Sequence, residues 1–285
     1  MIGNRIKTTI LLATLAGLFI GIGYLIGNRT GLVIGFIIAM AINFGSYWFS
    51  DKIVLRMYKA KEVSQDHKLY SMVKELSQRA KIPMPKVYTI TAPSPNAFAT
   101  GRNYQNSAVA ATESLLQILS EEEVKAVMAH EISHIKHRDT LIQTIAVGIA
   151  SAISMIANML QWAIIFGVNR GDDNNGLGGL AGSLAIIILT PIIATIIQLA
   201  ISRQREYLAD AGAAQIMRTA QPMIHALRKL ESSVKPVKNQ RASAAPTESL
   251  FIVNPFKGSS IFKMFSTHPS TDARVEALRK LKINR

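Results

Sequence analysis

The chain has 285 residues, 49% of them hydrophobic and only 18% charged, with a formal net charge of +14 and a positive mean hydropathy. That balance sits poorly with an ordinary soluble domain. With no cysteine, a disulfide framework and any thiolate nucleophile or ligand are excluded, so a bound metal must rest on His, Asp or Glu.

Four stretches carry no Asp, Glu, Lys or Arg: Thr8 to Asn28, Thr30 to Ser50, Thr140 to Asn169 and Gly176 to Ser202. Each is long enough to cross about 30 Å of hydrocarbon as a helix, and each avoids the roughly 2.5 to 3.5 kcal/mol that a central charge adds. Four transmembrane helices are expected. The first run follows Arg5 and Lys7 as a signal peptide would, but its apolar core is too long. The second run follows after only Gly27-Asn28-Arg29-Thr30, so residues 1–50 read as a retained hairpin. Two Lys or Arg precede the first run, thirteen lie in residues 51–139 and fifteen in 203–285, while the short turns hold only Arg29 and Arg170. The positive-inside rule then places the three basic segments, and both termini, in the cytoplasm. No nucleic-acid-binding motif competes for this charge, so nucleic acid is not an expected partner and the lipid bilayer is.

Beyond the first hairpin, Asp51 to Lys61 is basic and amphipathic, suited to an anionic leaflet or to a solvated helix extension. Gln65 to Ala80 places Leu69, Met72, Val73 and Leu76 at helical spacing and ends before Pro83, with His67 as a surface residue. Residues 86–111 read as short strands of a small antiparallel sheet, interrupted by the turn Ala92-Pro93-Ser94-Pro95. Such a sheet either supports the core or offers an edge to an extended peptide. Ser120 with Glu123 forms a capping box that opens the next helix. Asn169 to Gly179 is a polar external turn between the third and fourth apolar runs, and Pro191 is placed to kink the fourth. Helices are expected over Arg203 to Met217, from Gln221 to Glu231, and from Ser270 to Lys282, with a loop over Ser232 to Ser249. Four parts follow: a transmembrane hairpin over 1–50, the first part of a cytoplasmic catalytic domain over 51–139, a second hairpin over 140–202, and the rest of the catalytic domain over 203–285.

The capped helix carries His130-Glu131-Ile132-Ser133-His134, an H-E-x-x-H motif. At about 100° per residue the two histidines share one helix face, so both imidazoles can bind one zinc ion while Glu131 flanks the open position. A catalytic zinc needs a third protein ligand. His137 shares roughly the same helix face but, one turn further along, reads as an interfacial residue, and Asp139 as a helix-end or interface residue. Arg203-Gln204-Arg205-Glu206-Tyr207-Leu208-Ala209-Asp210 offers a carboxylate, with Glu206 as the third ligand and Asp210 one turn on as acceptor for a ligating imidazole. The spacing also allows a salt-bridge patch with Arg203 and Arg205. Six helical residues from His134 to the third apolar run rise only about 9 Å, which places the metal within a turn or two of the membrane surface.

His-Glu-Ile-Ser-His, followed after two spans by R-x-R-E-Y-x-A-D, with Pro95-Asn96-Ala97-Phe98-Ala99-Thr100-Gly101 upstream and Phe265-Ser266-Thr267-His268-Pro269 near the C-terminus, resembles the HtpX family of bacterial membrane zinc peptidases, related to the CAAX prenyl endopeptidases. The resemblance covers essentially the whole chain. It implies a mainly α integral membrane protein with four transmembrane helices and a cytoplasmic zincin-like α+β catalytic domain. It implies one Zn2+ per chain on His130, His134 and Glu206, with Glu131 as general base and Asp210, His268 and Arg203 as auxiliary residues. Asn96, Ala97, Phe98 and Ala99 would border the substrate cleft.

The expected activity is therefore hydrolysis of peptide bonds in misfolded or damaged membrane proteins, and in soluble ones, at the cytoplasmic face of the bacterial inner membrane. This is a quality-control and stress role that overlaps with other membrane proteases. Two rivals are disfavoured, one because His134 and Glu206 fall outside the apolar runs and the other by the small span count and the family motifs. A transporter or scaffold would place the ligands at bilayer depth and leave Glu131 dispensable, and a prenyl-protein endopeptidase would share the chemistry but not the substrate.

Overall fold

A computed structural model describes residues 2–143, 145, 203–233 and 269–283. The third and fourth apolar runs beyond residue 145, the 234–249 loop and His268 lie outside the described residues. Within them the protein is mainly helical, with a small mixed sheet.

Helix α1, Ile2–Met57, is helical throughout but does not run straight. Asn28 has φ 49, a left-handed conformation that reverses the chain. Residues eight apart in a straight helix are separated by about 12 Å. A Cβ on Gly23 would nevertheless lie 2.2 Å from the Gly31 carbonyl oxygen, and Asn43 Nδ2 donates to Leu12 O at 3.2 Å. Two antiparallel arms therefore pack backbone to backbone around the expected turn, and only glycine fits at the Gly23–Gly31 contact. The second arm, Asn28–Phe49, is long and apolar enough to cross a membrane, whereas Leu12–Gly21 in the first is a shorter apolar helix. Val33, Phe36, Ile37, Met40 and Phe44 are exposed on the second arm. A contiguous apolar surface of this kind suits a lipid contact.

After α1 come β1 (Lys61–Glu62), α2 (Lys68–Ala80), β2 (Lys86–Ile90), β3 (Ala97–Gly101) and β4 (Ser107–Thr112). His67 has a role beyond the surface position expected for it: its Nδ1 accepts from the Leu69 N–H at 3.1 Å and caps α2. The sheet corrects one expectation. Its order is β1-β2-β4-β3, with β2 parallel to β4 and the other pairs antiparallel, so it is mixed rather than antiparallel. The reason lies in Ala92-Pro93-Ser94-Pro95. Two prolines lack the N–H groups that a tight hairpin would use, so the chain crosses to the far edge, forms β3, and returns through residues 102–106 as the central strand β4. Along these strands Val87, Ala97, Ala99, Val109 and Ala111 face the main core, while Ile90, Phe98, Ala108 and Ala110 pack with Val54 and Leu55 at the end of α1. The period-2 alternation of a strand thus joins the N-terminal helical hairpin to one sheet face and the main helical core to the other.

Short α3 (Glu113–Ile118) leads into α4 (Glu121–His137), whose capping box is formed as expected, with the Ser120 N–H donating to Glu123 Oε2 at 2.7 Å. Every residue from Ala126 to Ile135 is buried. A helix enclosed on all faces is the core helix of its domain. It does not run on into the third apolar run: Arg138, with φ 59, ends it, and helix resumes at Thr140. Beyond the second pair of apolar runs lie α5 (Arg203–Met217), α6 (Gln221–Ser233) and α7 (Thr271–Lys280), close to the predicted bounds.

Helices α4 and α5 pack closely because Gly212 faces Ser133. A Cβ on Gly212 would lie 2.1 Å from Ser133 Oγ and 3.0 Å from Ser133 Cβ. Rotation of the hydroxyl relieves only the first contact, so Gly212→Val should push the helices apart and cost about 1–3 kcal/mol as overpacking. Thermal unfolding in detergent checks this, with wild-type stability as the contradicting result.

Candidate metal centre

The central helix α4 presents His130 and His134 one turn apart, and α5 brings Glu206 up to them from across the domain. All three are buried. His130 Nε2 lies 3.1 Å from His134 Nε2 and 3.6 Å from Glu206 Oε2, and His134 Nε2 lies 3.6 Å from Glu206 Oε1. Zinc bonds of about 2.0–2.1 Å in tetrahedral geometry separate ligand atoms by about 3.3 Å. Each imidazole thus faces its own Glu206 oxygen at close to the ligand separation of a zinc tetrahedron, one atom from each residue lies within 4.8 Å of the others, and these three are the group of metal-ligating residues that converges among the described residues. Their chemistry and spacing fit that ion.

Each imidazole presents Nε2 to the centre and turns Nδ1 to a carboxylate. His130 Nδ1 is 2.9 Å from Asp210 Oδ1. Asp210 is clamped in turn by Arg274 of α7, with Nε donating to Oδ2 at 2.8 Å and Nη2 to Oδ1 at 2.7 Å. Arg274 is 1% exposed, so this two-point pair is wholly enclosed. Its Nη1 also lies 3.9 Å from Glu206 Oε2, which places a positive charge behind two acids of the site. A carboxylate that holds the free nitrogen of a ligating histidine fixes its tautomer and orientation.

These contacts set the titration of the metal-free site. Burial by itself would lower the His130 pKa, but the carboxylates of Asp210 and Glu206 outweigh it and push the value up to about 9. Burial likewise raises the Asp210 carboxyl, but Arg274 and His130 outweigh it and hold the group below the usual range. The Glu131 carboxyl is raised, first by burial, with the two histidines and the Ala99 N–H opposing. A raised His130 pKa contributes stability that is complete below its ordinary value of about 6.5 and is lost as the pH climbs through about 9. The raised Glu131 acts in the same direction, because ionising it against burial costs stability. Chelator-treated protein should therefore resist denaturant better near pH 6 than near pH 9.5, roughly the two ends of this window. A flat profile would contradict the pairing of His130 with the two acids.

The structure brings Asp210 to the site but not Arg203, which is exposed at the start of α5. The buried arginine of that motif is Arg205, whose Nη1 lies 3.8 Å from Asp139 Oδ1. Asp139, read from sequence as a helix-end residue, reaches His134, with Oδ2 3.4 Å from Nδ1. His137 is exposed, and its Nδ1 meets Ser133 Oγ at 3.3 Å rather than the metal centre. Asn96, Ala97, Phe98 and Ala99 are all buried. The Asn96 N–H donates to Thr112 Oγ1 at 2.8 Å, Phe98 packs on Tyr58 with ring centroids 5.2 Å apart, and the two alanines face the core. The side chains of Ala97, Phe98 and Ala99 are thus committed to packing. The backbone is what this strand offers the site, and the Ala99 N–H already donates to Glu131.

Arg274 went unnoticed in the sequence, although a signal was present. In α7 the buried residues are Thr271, Arg274, Val275 and Leu278, spaced i, i+3, i+4 and i+7. An arginine within the apolar stripe of a short helix must meet a buried acid.

The description Peptidase family M48 matches residues 63–282. The Protease HtpX homolog of Persephonella marina is 50% identical over 283 residues, covering 98% of this chain and 97% of that one. The Protease HtpX homolog of Pyrococcus furiosus is 48% identical over 284 residues, covering 98% and 96%. Among solved structures, the crystal structure of S. mikatae Ste24p is similar in fold, with a TM-score of 0.53 and 18% identity. The match covers 97% of this chain and 66% of that one.

Proposed function

The chain belongs to peptidase family M48, among the HtpX homologues, and from that premise we propose that it is a membrane-bound zinc metalloendopeptidase of the bacterial inner membrane. Its substrates are misfolded or damaged membrane proteins, cut at the cytoplasmic face. The observation that carries the chemistry is the spacing of His130, His134 and Glu206, which matches a tetrahedral zinc site, with Glu131 on the same buried helix.

His130, His134 and Glu206 hold the ion. Zinc, when bound, supplies a Lewis acid that polarises the scissile carbonyl and acidifies the attacking water. Glu131 takes the proton from that water and passes it to the leaving amine. Burial raises its carboxyl above the usual carboxylate range, which strengthens it as a proton acceptor. Asp210 and Arg274 keep the His130 ring turned so that Nε2 faces the centre. Strand β3 ends the sheet beside α4, and an extended peptide adding to its backbone would run past Glu131.

The membrane setting is argued from the four uncharged apolar runs of the sequence, of which the second forms the one helix among the described residues that is long and apolar enough to cross a membrane, and from the concentration of Lys and Arg in residues 51–139 and 203–285. Glu206 follows the fourth apolar run by four residues, so the site stands close to the bilayer without entering it. At the mouth of the hairpin, Arg102 of the β3–β4 turn lies over the Trp48 ring at 4.4 Å and donates to Trp48 O at 2.8 Å. A Trp–Arg pair of this kind belongs at a membrane interface.

The test is cleavage in proteoliposomes. Co-reconstituted with a misfolded membrane protein and its folded counterpart, the protein should cut the misfolded one within the segments that face the side of residues 51–139. Cuts on the opposite side would overturn the orientation, and cleavage of neither partner would overturn the substrate class.

A further inference from the structure

The two histidines of the centre are supported by two different carboxylates, and only the Asp210 arm belongs to the auxiliary set read from the sequence. The second arm starts with the way α4 ends. Arg138 adopts a left-handed conformation, φ 59, and its N–H bonds back to the carbonyls of His134 and Ile135. The next N–H, that of Asp139, donates to His134 O at 2.9 Å. This reversal carries the Asp139 side chain back along the helix, where Oδ2 lies 3.4 Å from the same residue's Nδ1. Asp139 is thus tied to His134 at both backbone and ring.

Its other oxygen faces Arg205. The guanidinium is buried, 7% exposed, with Nη1 3.8 Å from Asp139 Oδ1. A buried cation needs a counter-charge nearby. Arg205 immediately precedes Glu206 on α5, whereas Asp139 follows the end of α4. The pair therefore bridges the two segments that carry the ligands, and it does so next to a ligand on each side.

We infer that Asp139 and Arg205 form a positioning pair that fixes the His134 imidazole and couples it to the helix carrying Glu206. It is the counterpart of Asp210 and Arg274 at His130. Neither residue touches the centre itself. The arms differ in tightness: 2.7–2.9 Å at Asp210 against 3.4 and 3.8 Å at Asp139. The second arm should therefore lie at the weak end of the roughly 10- to 100-fold effect that outer partners have on metal affinity.

The inference rests on the zinc reading above, and zinc itself is the probe. The full chain in detergent, stripped with a chelator, is titrated with Zn2+ against a competing chromophoric chelator, for wild type, Asp139→Asn, Arg205→Met, the double variant and Arg205→Lys. Each of the first two variants should bind zinc about 10-fold more weakly. The double variant should lose no more than the weaker single one, because Arg205 acts through Asp139. Arg205→Lys, which keeps the charge, should recover part of the loss. A merely structural role would lower the unfolding temperature of the stripped protein and leave the affinity of its folded fraction unchanged. Wild-type affinity in Asp139→Asn and Arg205→Met, or losses that multiply in the double variant, would overturn the pair. If Asp139→Asn does not fold, the contrast of Arg205→Met with Arg205→Lys decides: equal affinities overturn the inference. A wild type that takes up no zinc would instead overturn the metal reading, and this inference with it.

Discussion

Arg274→Met should be the most damaging single change in the stripped protein, lowering its stability by about 3–5 kcal/mol. Arg274 is 1% exposed and donates two short hydrogen bonds to Asp210, itself 1% exposed. Methionine fills much of the volume but leaves the carboxylate buried without its cation, so the cost comes from the stranded charge rather than from lost packing. Asp210 then either protonates or turns away, and in both cases the His130 Nδ1 contact at 2.9 Å is weakened. The second expected effect is a loss of zinc affinity of roughly 10- to 100-fold. Equilibrium unfolding of stripped protein gives the first quantity and zinc competition the second. Arg274→Met together with Asp210→Asn, which removes the stranded charge, should be less destabilised than Arg274→Met alone. Wild-type stability in Arg274→Met would show that the clamp carries no weight.

Glu131→Gln is expected to leave zinc in place and to cut the turnover rate by roughly 10²- to 10⁴-fold, the usual contribution of a general base. The substitution keeps the shape of the side chain and removes its ability to accept a proton. Glu131 is not among the three converging ligand atoms, so metal content should not change. The fold should become more robust, since the group is buried and its ionisation is opposed by burial. An amide there gives up the favourable charge contact with His130 and His134 but avoids desolvating a carboxylate. Single-turnover cleavage of an unfolded protein, with zinc content measured on the same sample, reads both quantities. Loss of zinc along with activity would make Glu131 a ligand and displace the present assignment.

Local pattern made part of this molecule legible from sequence. The H-E-x-x-H spacing fixes two imidazoles on one face wherever the helix lies, and Glu206 and Asp210 share a face for the same reason. The hairpin around Asn28 was readable because two uncharged runs allow little but reversal between them. The parts that escaped depend on long-range meetings. Arg274 pairs with Asp210 at a separation of 64 residues, and its helix is otherwise polar enough to pass for a surface element. Asp139 reaches His134 through a left-handed Arg138, and arginine gives no hint of that conformation as glycine would. The parallel pairing of β2 with β4 follows from where the chain goes after Pro95, which alternation along the strands does not encode. Strand β3, expected to border a substrate cleft, does lie against Glu131 through the Ala99 N–H, but Ala97 and Ala99 face the core, which a resemblance of motifs does not encode.

The central claim is that one zinc ion, held by His130, His134 and Glu206, makes this chain a peptidase. The direct measurement is metal content with activity across removal and return: elemental analysis and cleavage of an unfolded protein by the full chain in detergent, as purified, after chelation, and during titration with Zn2+. The account predicts one zinc per chain at full activity, no cleavage once the metal is stripped, recovery complete at one equivalent, and no uptake by His134→Ala or Glu206→Ala. Cleavage that persists in metal-free protein, or zinc retained at full stoichiometry by both variants, would contradict it.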